Sequence, residues 1–321
     1  MPSILLFGTG GIGSIYLYIL SRAGCTVSAV CRSNYAAVKE HGLLINSGNF
    51  GKDIRIKPQV FRTPEEASRL GEEYEYVVIC SKAFPESKPS TAEILKPVIG
   101  STTTIVLIQN GMKIEGEYRE LFPSNPILSC AVYLPVTQKS PGVISMGDFD
   151  FLELGTYPSD APANHKRTAD EFADLVKSGG GTVAVFDDVQ ERRWRKLLVN
   201  CSWNPLCALS KRSDRDLMDS SEYATEIVLS VMLEVVKLAQ AMGYNDITEE
   251  TARRQLGRAQ SRTIGIEPSM LADVRNGRRI EVEAILGNVV RIAREKKMNL
   301  PGLEMLYVLA KALDGSREVQ Q

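Results

Sequence analysis

Histidine occurs only twice in the 321 residues, and cysteine six times. The cysteines, at 25, 31, 80, 130, 201 and 207, form no Cys-x-x-Cys pair. That scarcity argues against a zinc site, and no metal is expected; reduced thiols in a cytosolic setting fit instead. Most of these cysteines lie in apolar runs, where a small core residue is their ordinary role. Charge of one sign is also lacking, since 38 Lys and Arg meet 39 Asp and Glu for a formal net charge of −1. Neither nucleic acid nor an anionic membrane surface is favoured as a partner. No apolar run approaches the roughly 20 residues of a membrane span. A strand beginning at Ser3 leaves no room for a signal peptide, so the expected location is the cytoplasm.

What is present is an ordinary globular balance, with 44% hydrophobic and 24% charged residues. The length suffices for two domains. The richest stretch comes first. The apolar run Ile4–Phe7 ends in Gly8-Thr9-Gly10-Gly11-Ile12-Gly13, and a segment of helical character follows. In this Gly-x-Gly-x-x-Gly turn the first glycine permits a sharp turn. The second lets backbone approach a pyrophosphate, and the third lets the helix pack close to the strand. The helix N-terminus then offers N–H groups and partial positive charge to the anion. A lone glycine pattern is weak, but here the next apolar run, Thr26–Val30, completes a βαβ unit.

Strands are expected at 3–7, 26–30, 76–80, 104–108, 127–134, 142–146, 151–154 and 182–186. The later ones are expected to extend the sheet edge. Helices are expected at 11–23, 34–41, 64–70, 91–98 and 168–178. That alternation predicts an α/β fold with a doubly wound sheet of the Rossmann type. From about Asp188 the pattern turns helical, with segments at 221–242, 248–263, 280–297 and 301–313. Gly243 and Gly315 are read as helix stops and Pro301 as a first-turn residue. The expected domains are therefore 1–187, binding a dinucleotide, and 188–321, all-helical, ending in a short polar tail. The apolar stripes of the helical domain suit either its own core or a homodimer interface.

In NAD-binding versions of this fold an acidic residue ends the second strand and holds the ribose hydroxyls. Here that position reads Val30-Cys31-Arg32-Ser33, with no acid. Arg32 suits a 2′-phosphate, which points to NADP(H); it also fits a solvated arginine after a strand. Ser81-Lys82-Ala83-Phe84 and Gln109-Asn110-Gly111-Met112 follow two further strands. Ligands of open α/β sheets bind beyond such strand ends, so Lys82 and Asn110 point towards the cofactor. Asn110 equally fits a plain Asn-Gly turn.

In the helical half, Lys196, Asn200 and Asn204 are spaced i, i+4, i+8 and are expected on one helix face. They sit among Leu197, Leu198, Val199, Trp203 and Leu206. Polar groups in such surroundings are costly unless partnered, which suits a substrate pocket. A surface lysine with two backbone-bonded asparagines fits as well. Ser269 and Glu281 each open a further apolar stretch, where a helix cap and a dipole-complementing charge are their plain roles.

Taken together, GTGGIG, SKAF, QNGM, KLLVNCSWNPLCAL and SML-AD-R-GRRIEVE, in that order, resemble the ketopantoate reductases, over residues 1 to about 313. The resemblance implies NADPH-dependent reduction of a 2-oxo acid to the 2-hydroxy acid, with ketopantoate giving pantoate on the pantothenate route to coenzyme A. It implies that Lys196 is the catalytic lysine and that Asn200 and Asn204 bind substrate. By the same resemblance Ser269 lies near the substrate carboxylate and Glu281 contacts the substrate hydroxyl. Asn110 falls between cofactor and substrate, and Lys82 lies on the cofactor side. The sequence departs from the family's pattern at Trp203, Cys207, Ile266-Glu267-Pro268 and Glu283, the last in place of a frequent aspartate. These changes leave the reaction type in place and open the choice of substrate to another branched or aromatic 2-oxo acid. A non-catalytic NADP(H) sensor is the remaining alternative.

Overall fold

The computed structural model describes residues 1–318. They form two compact units: residues 1–110 with 114–189, and residues 111–113 with the described residues from 190 onward.

The first unit is built on an eight-stranded sheet. Its strands run in the spatial order Val183–Val185, Phe151–Thr156, Ile127–Tyr133, Thr104–Leu107, Tyr76–Ile79, Ser3–Phe7, Thr26–Val30 and Gln59–Phe61. All neighbouring pairs are parallel except Ile127–Tyr133 with Phe151–Thr156. The central strands are fully buried, with Ile4–Leu6, Val77–Ile79 and Ile105–Leu107 at zero exposure. Parallel strands covered on both faces read as continuous apolar runs, which is why they stand out in the sequence. Helix Gly11–Arg22 packs Ile15, Tyr16, Ile19 and Leu20 into that core.

A second sheet was not expected. Gly51–Ile56, Leu43–Ser47, Val143–Met146 and Val136–Ser140 form it in that order, and Leu43, Ile45, Ile144 and Met146 join the core around the first helix. Strand 143–146 therefore does not extend the main sheet edge. It pairs in parallel with Leu43–Ser47, whereas the strands at 127, 151 and 183 do extend the main sheet.

The second unit is helical around one apolar core. Its longest helices are Ala224–Ala241 and Pro301–Glu318. The first closes at Gly243, whose φ of +97° and the bond from Tyr244 N to Ala239 O make a glycine-dependent stop. The second begins at Pro301, and the Glu234 carboxylate accepts from the first-turn N–H groups of Gly302 and Leu303, which have no partner within the helix, at 2.9 and 2.8 Å. It continues through Gly315, so that glycine is not a stop; the end of the expected polar tail, 319–321, lies outside the described residues.

Two local departures matter for the site. The expected helix across Lys196, Asn200 and Asn204 is broken into Val189–Asn200 and Trp203–Ser210. Pro205 is the reason: it has no N–H to give to the Cys201 carbonyl, and its ring crowds that carbonyl. The second departure is a π-helical turn at Glu283–Gly287, which runs on into helix Asn288–Glu295. No helix among the described residues is long and apolar enough to cross a membrane.

Candidate active site

In the first unit the parallel register lines up the strand ends. Phe7 pairs with both Val30 and Ile79, and Ile79 pairs with Leu107. The turns beginning at Gly8, Cys31, Cys80 and Ile108 consequently share one edge of the sheet. Gly8 has φ +99°, and a Cβ there would lie 2.6 Å from Ser81 N. At Gly13 a Cβ would overlap the Gly8 carbonyl oxygen and stand 3.0 Å from Leu6 Cδ2. Over Gly10, by contrast, nothing lies within 4 Å. Gly11 and Ile12 are half-buried, Gly11 against Val136 of the second sheet.

Helix Gly11–Arg22 has no side-chain cap and no acid in its first turn. Its opening N–H groups therefore have no carboxylate or hydroxyl competing for them. An open glycine above an uncapped 12-residue helix fits an anionic diphosphate. The loop is held through its own Thr9, and in part by two residues not singled out from the sequence, Asn34 and Gln138. Thr9, itself 2% exposed, donates from Oγ1 to Cys31 Sγ at 2.8 Å. Asn34 Nδ2 donates to Thr9 O at 2.7 Å and to Gln138 Oε1 at 3.0 Å. Gln109 Nε2 donates to Ser81 O at 2.8 Å, tying together two of the strand-end turns. Only the position of Asn34 just after a strand hinted at this role; Gln138 sits in a strand with no sequence signal.

Arg32 is exposed on the same edge, with its carbonyl accepting from Tyr35 N. Lys82 and Asn110 are both half-buried. The chain bends at the Asn-Gly pair, where Gly111 has φ +103° and a Cβ on it would stand 2.7 Å from Ala284 Cβ. Met112 N donates to Ala284 O at 2.9 Å, so Gly111–Lys113 is a fixed part of the second unit. The buried Arg193 donates to Gly111 O at 3.0 Å and reinforces it.

In the second unit the helix break brings two asparagines face to face. Asn204 Nδ2 donates to Asn200 Oδ1 at 3.3 Å. Asn204 Oδ1 accepts from Met270 N at 3.0 Å and from Ser269 Oγ at 3.2 Å. One buried amide thus anchors the start of helix Ser269–Arg275. The segment before Ser269 is fixed by buried Asp214, whose Oδ1 accepts from Ile266 N at 2.6 Å and whose Oδ2 pairs with Arg262. Lys196 is half-buried, one helical turn before Asn200. Glu281 is 8% exposed, and its carbonyl accepts from Ile285 N at the start of the π turn. Cys201, in the helix break, donates from Sγ to Ile285 O at 3.2 Å and ties the two features together. Burial pushes that thiol well above its ordinary range, as befits a core residue. Trp203 and Cys207 are both buried in the apolar core, at 4% and 0% exposure.

Lys196, Asn200 and Asn204 thus flank the helix break, and Glu281 stands at the start of the π turn. Two family models match the chain. Residues 4–159 match "Ketopantoate reductase PanE/ApbA" and residues 188–314 match its C-terminal model. The chain belongs to the ketopantoate reductase family. Membership makes it an NAD(P)-dependent oxidoreductase of 2-oxo acid chemistry. A 2-dehydropantoate 2-reductase of Nostoc sp. is 29% identical, over 98% of this chain and 96% of its own length. The crystal structure of 2-dehydropantoate 2-reductase from Methylococcus capsulatus is 30% identical, with a TM-score of 0.84 over 98% of this chain and 97% of that one. D-mandelate dehydrogenase with NADH and anilino(oxo)acetate shares the ketopantoate reductase fold, with a TM-score of 0.86 and 21% identity over 98% and 99% of the two chains.

Proposed function

We propose that this ketopantoate reductase family member reduces ketopantoate to pantoate with NADPH, and that Lys196 is its general acid. The observation that carries the reading is the buried amide pair. Asn204 spends its oxygen on Met270 N and Ser269 Oγ and gives its N–H to Asn200, so one buried amide fixes both Ser269 and Asn200, the latter one helical turn after Lys196. The dinucleotide would be held by Gly8–Gly13, with Arg32 on a 2′-phosphate and Lys82 and Asn110 nearer the nicotinamide. When bound, the reduced nicotinamide supplies a hydride to the ketone carbon.

The chain's own residues do the rest. Negative charge grows on the ketone oxygen as its carbon accepts the hydride, and the Lys196 ammonium stabilises that charge. Lys196 Nζ then gives the oxygen its proton, leaving a neutral amine and a hydroxy acid. Ser269 and the two asparagines hold the substrate carboxylate and hydroxyls, and the Glu281 carboxylate accepts from the substrate hydroxyl.

The test is NADPH oxidation by the purified protein across a panel of aliphatic, branched and aromatic 2-oxo acids. Ketopantoate should give the highest specificity constant. A higher value for an aromatic acid would assign the substrate elsewhere, and no turnover with any 2-oxo acid would refute the reading. Lys196→Ala should lower kcat by about 10²- to 10⁴-fold, the usual contribution of a general acid, while NADPH still binds.

A further inference from the structure

We propose that the C-terminal helix, Pro301–Glu318, is a positioning element for the Glu281 carboxylate, acting through Tyr307, Lys311 and Asp314. The proposal rests on Glu281 being a substrate contact, as proposed above. These three residues follow one another at i, i+4 and i+7, so they share a face of the helix. Each grips the chain next to Glu281. Asp314, 5% exposed, accepts from Ile280 N through Oδ1 at 2.9 Å, fixing the residue before it. Two residues after it, Glu283 Oε1 takes the Tyr307 hydroxyl at 3.1 Å and the Lys311 ammonium at 2.9 Å. Glu283 Oε2 takes Arg291 at 2.9 Å.

The position of Glu283 explains why such a grip is needed. Its carboxylate lies where a Cβ on Gly287 would fall, so it packs against the outer face of the wide π turn that starts at its own backbone. A π turn opens the helical ladder by one residue and persists where side chains support it. Here the support comes chiefly from the C-terminal helix. Val282 N donates to Ile280 O at 2.9 Å, and Ile285 N donates to Glu281 O at 3.1 Å. Glu281 is thereby held on a short bridge between two fixed points. If the clamp is loosened, the bridge shifts while the apolar core beneath it stays in place.

A misplacement of about 1 Å can cost a reaction on the order of 100-fold. Lys311 is the point to probe, because its half-exposed side chain can be changed without disturbing the core. Lys311→Met should raise KM for the 2-oxo acid about tenfold, part of that range, with the dinucleotide Kd unchanged. Lys311→Arg, which keeps the charge, should restore KM. Tyr307→Phe, an isosteric change, should raise KM in the same direction and less. The decisive measurement pairs Lys311→Met with Glu281→Gln. Because the clamp works through Glu281, the double variant should have the KM of Glu281→Gln alone. Additive effects, or a wild-type KM for Lys311→Met beside an impaired Glu281→Gln, would overturn the proposal. A wild-type KM for Glu281→Gln itself would instead remove the role of Glu281, and the clamp's purpose with it.

Discussion

Asn204 offers the most direct test of how the second unit is organised. Its Oδ1 is the acceptor for Met270 N, a first-turn donor of helix Ser269–Arg275 on a residue only 2% exposed. Asn204→Ala removes that acceptor and leaves the N–H buried without it. An orphaned buried donor costs about 1–3 kcal/mol. The hydroxyl of Ser269 loses the same partner but is exposed and can turn to water. A loss of about 2 kcal/mol, the middle of that range, is expected in urea unfolding. Asn204→Asp keeps the acceptor and also places negative charge at the helix start, where it is favourable. Its second carboxylate oxygen replaces the Nδ2 that faced Asn200, whose amide turns to donate to it; with Met270 N, Ser269 Oγ and Asn200 all donating to the buried charge, the net loss is about 1 kcal/mol or less. The two variants should therefore be separated by about 1 kcal/mol in the order Asp above Ala. Both should raise KM for the 2-oxo acid, since each disturbs Asn200 or Ser269. The reasoning fails if Asn204→Ala unfolds with the midpoint of the unchanged protein, or if Asn204→Asp is the more damaging of the two.

The glycines of the first loop should divide by role. Gly13→Ala forces a methyl against the Gly8 carbonyl and should cost about 1–3 kcal/mol of stability, whereas Gly10→Ala, with open space around it, should fold normally and lose only dinucleotide affinity; equal melting temperatures for the two would contradict this. Arg32→Ala should weaken NADPH by about 10- to 100-fold, the worth of a charge-assisted bond, and NADH far less, as read by fluorescence titration. Acid should destabilise the second unit through Glu283. Burial alone would raise its pKa, but Lys311, Arg291 and Tyr307 together outweigh burial and hold it below the usual carboxylate range. The stabilisation is therefore complete above about pH 4.3, the unfolded value, and is lost as pH falls through the lower folded value. Glu283→Gln should flatten the acid limb of the stability curve, and an unchanged limb would show that the carboxylate is not what acid attacks.

The residues that could be read in advance are those whose meaning is local. The strands around Leu5, Val78 and Val106 are unbroken apolar runs because both of their faces are buried. The loop from Gly8 to Gly13 announces itself by spacing. The second sheet was hidden because its exposed faces carry Lys52, Asp53, Arg55 and Lys139, and charge at those positions drowns the alternation. The break between Asn200 and Trp203 was legible in principle, through Pro205, but the i, i+4 spacing of Lys196, Asn200 and Asn204 suggested an uninterrupted helix. The π turn had no sequence signal at all. Its cause is a carboxylate at Glu283 meeting Tyr307 and Lys311 from a distant helix, and such partners are invisible until the chain is folded.

The segment Gly111–Lys113 carries a consequence for how this protein can be dissected. It lies in the middle of the first unit's sequence, yet its backbone pairs with Ala284 and accepts from Asn288 Nδ2 and from Arg193. The helical unit is therefore not encoded as one continuous cassette. A gene fragment covering only 190–321 would leave those three partners facing a missing strip of chain. During synthesis the strip emerges about 80 residues before Arg193, the first of the partners that receive it. Any exchange of the helical unit between relatives would have to carry these three residues along with it, and a swap that overlooked them would transplant a core with a seam left open.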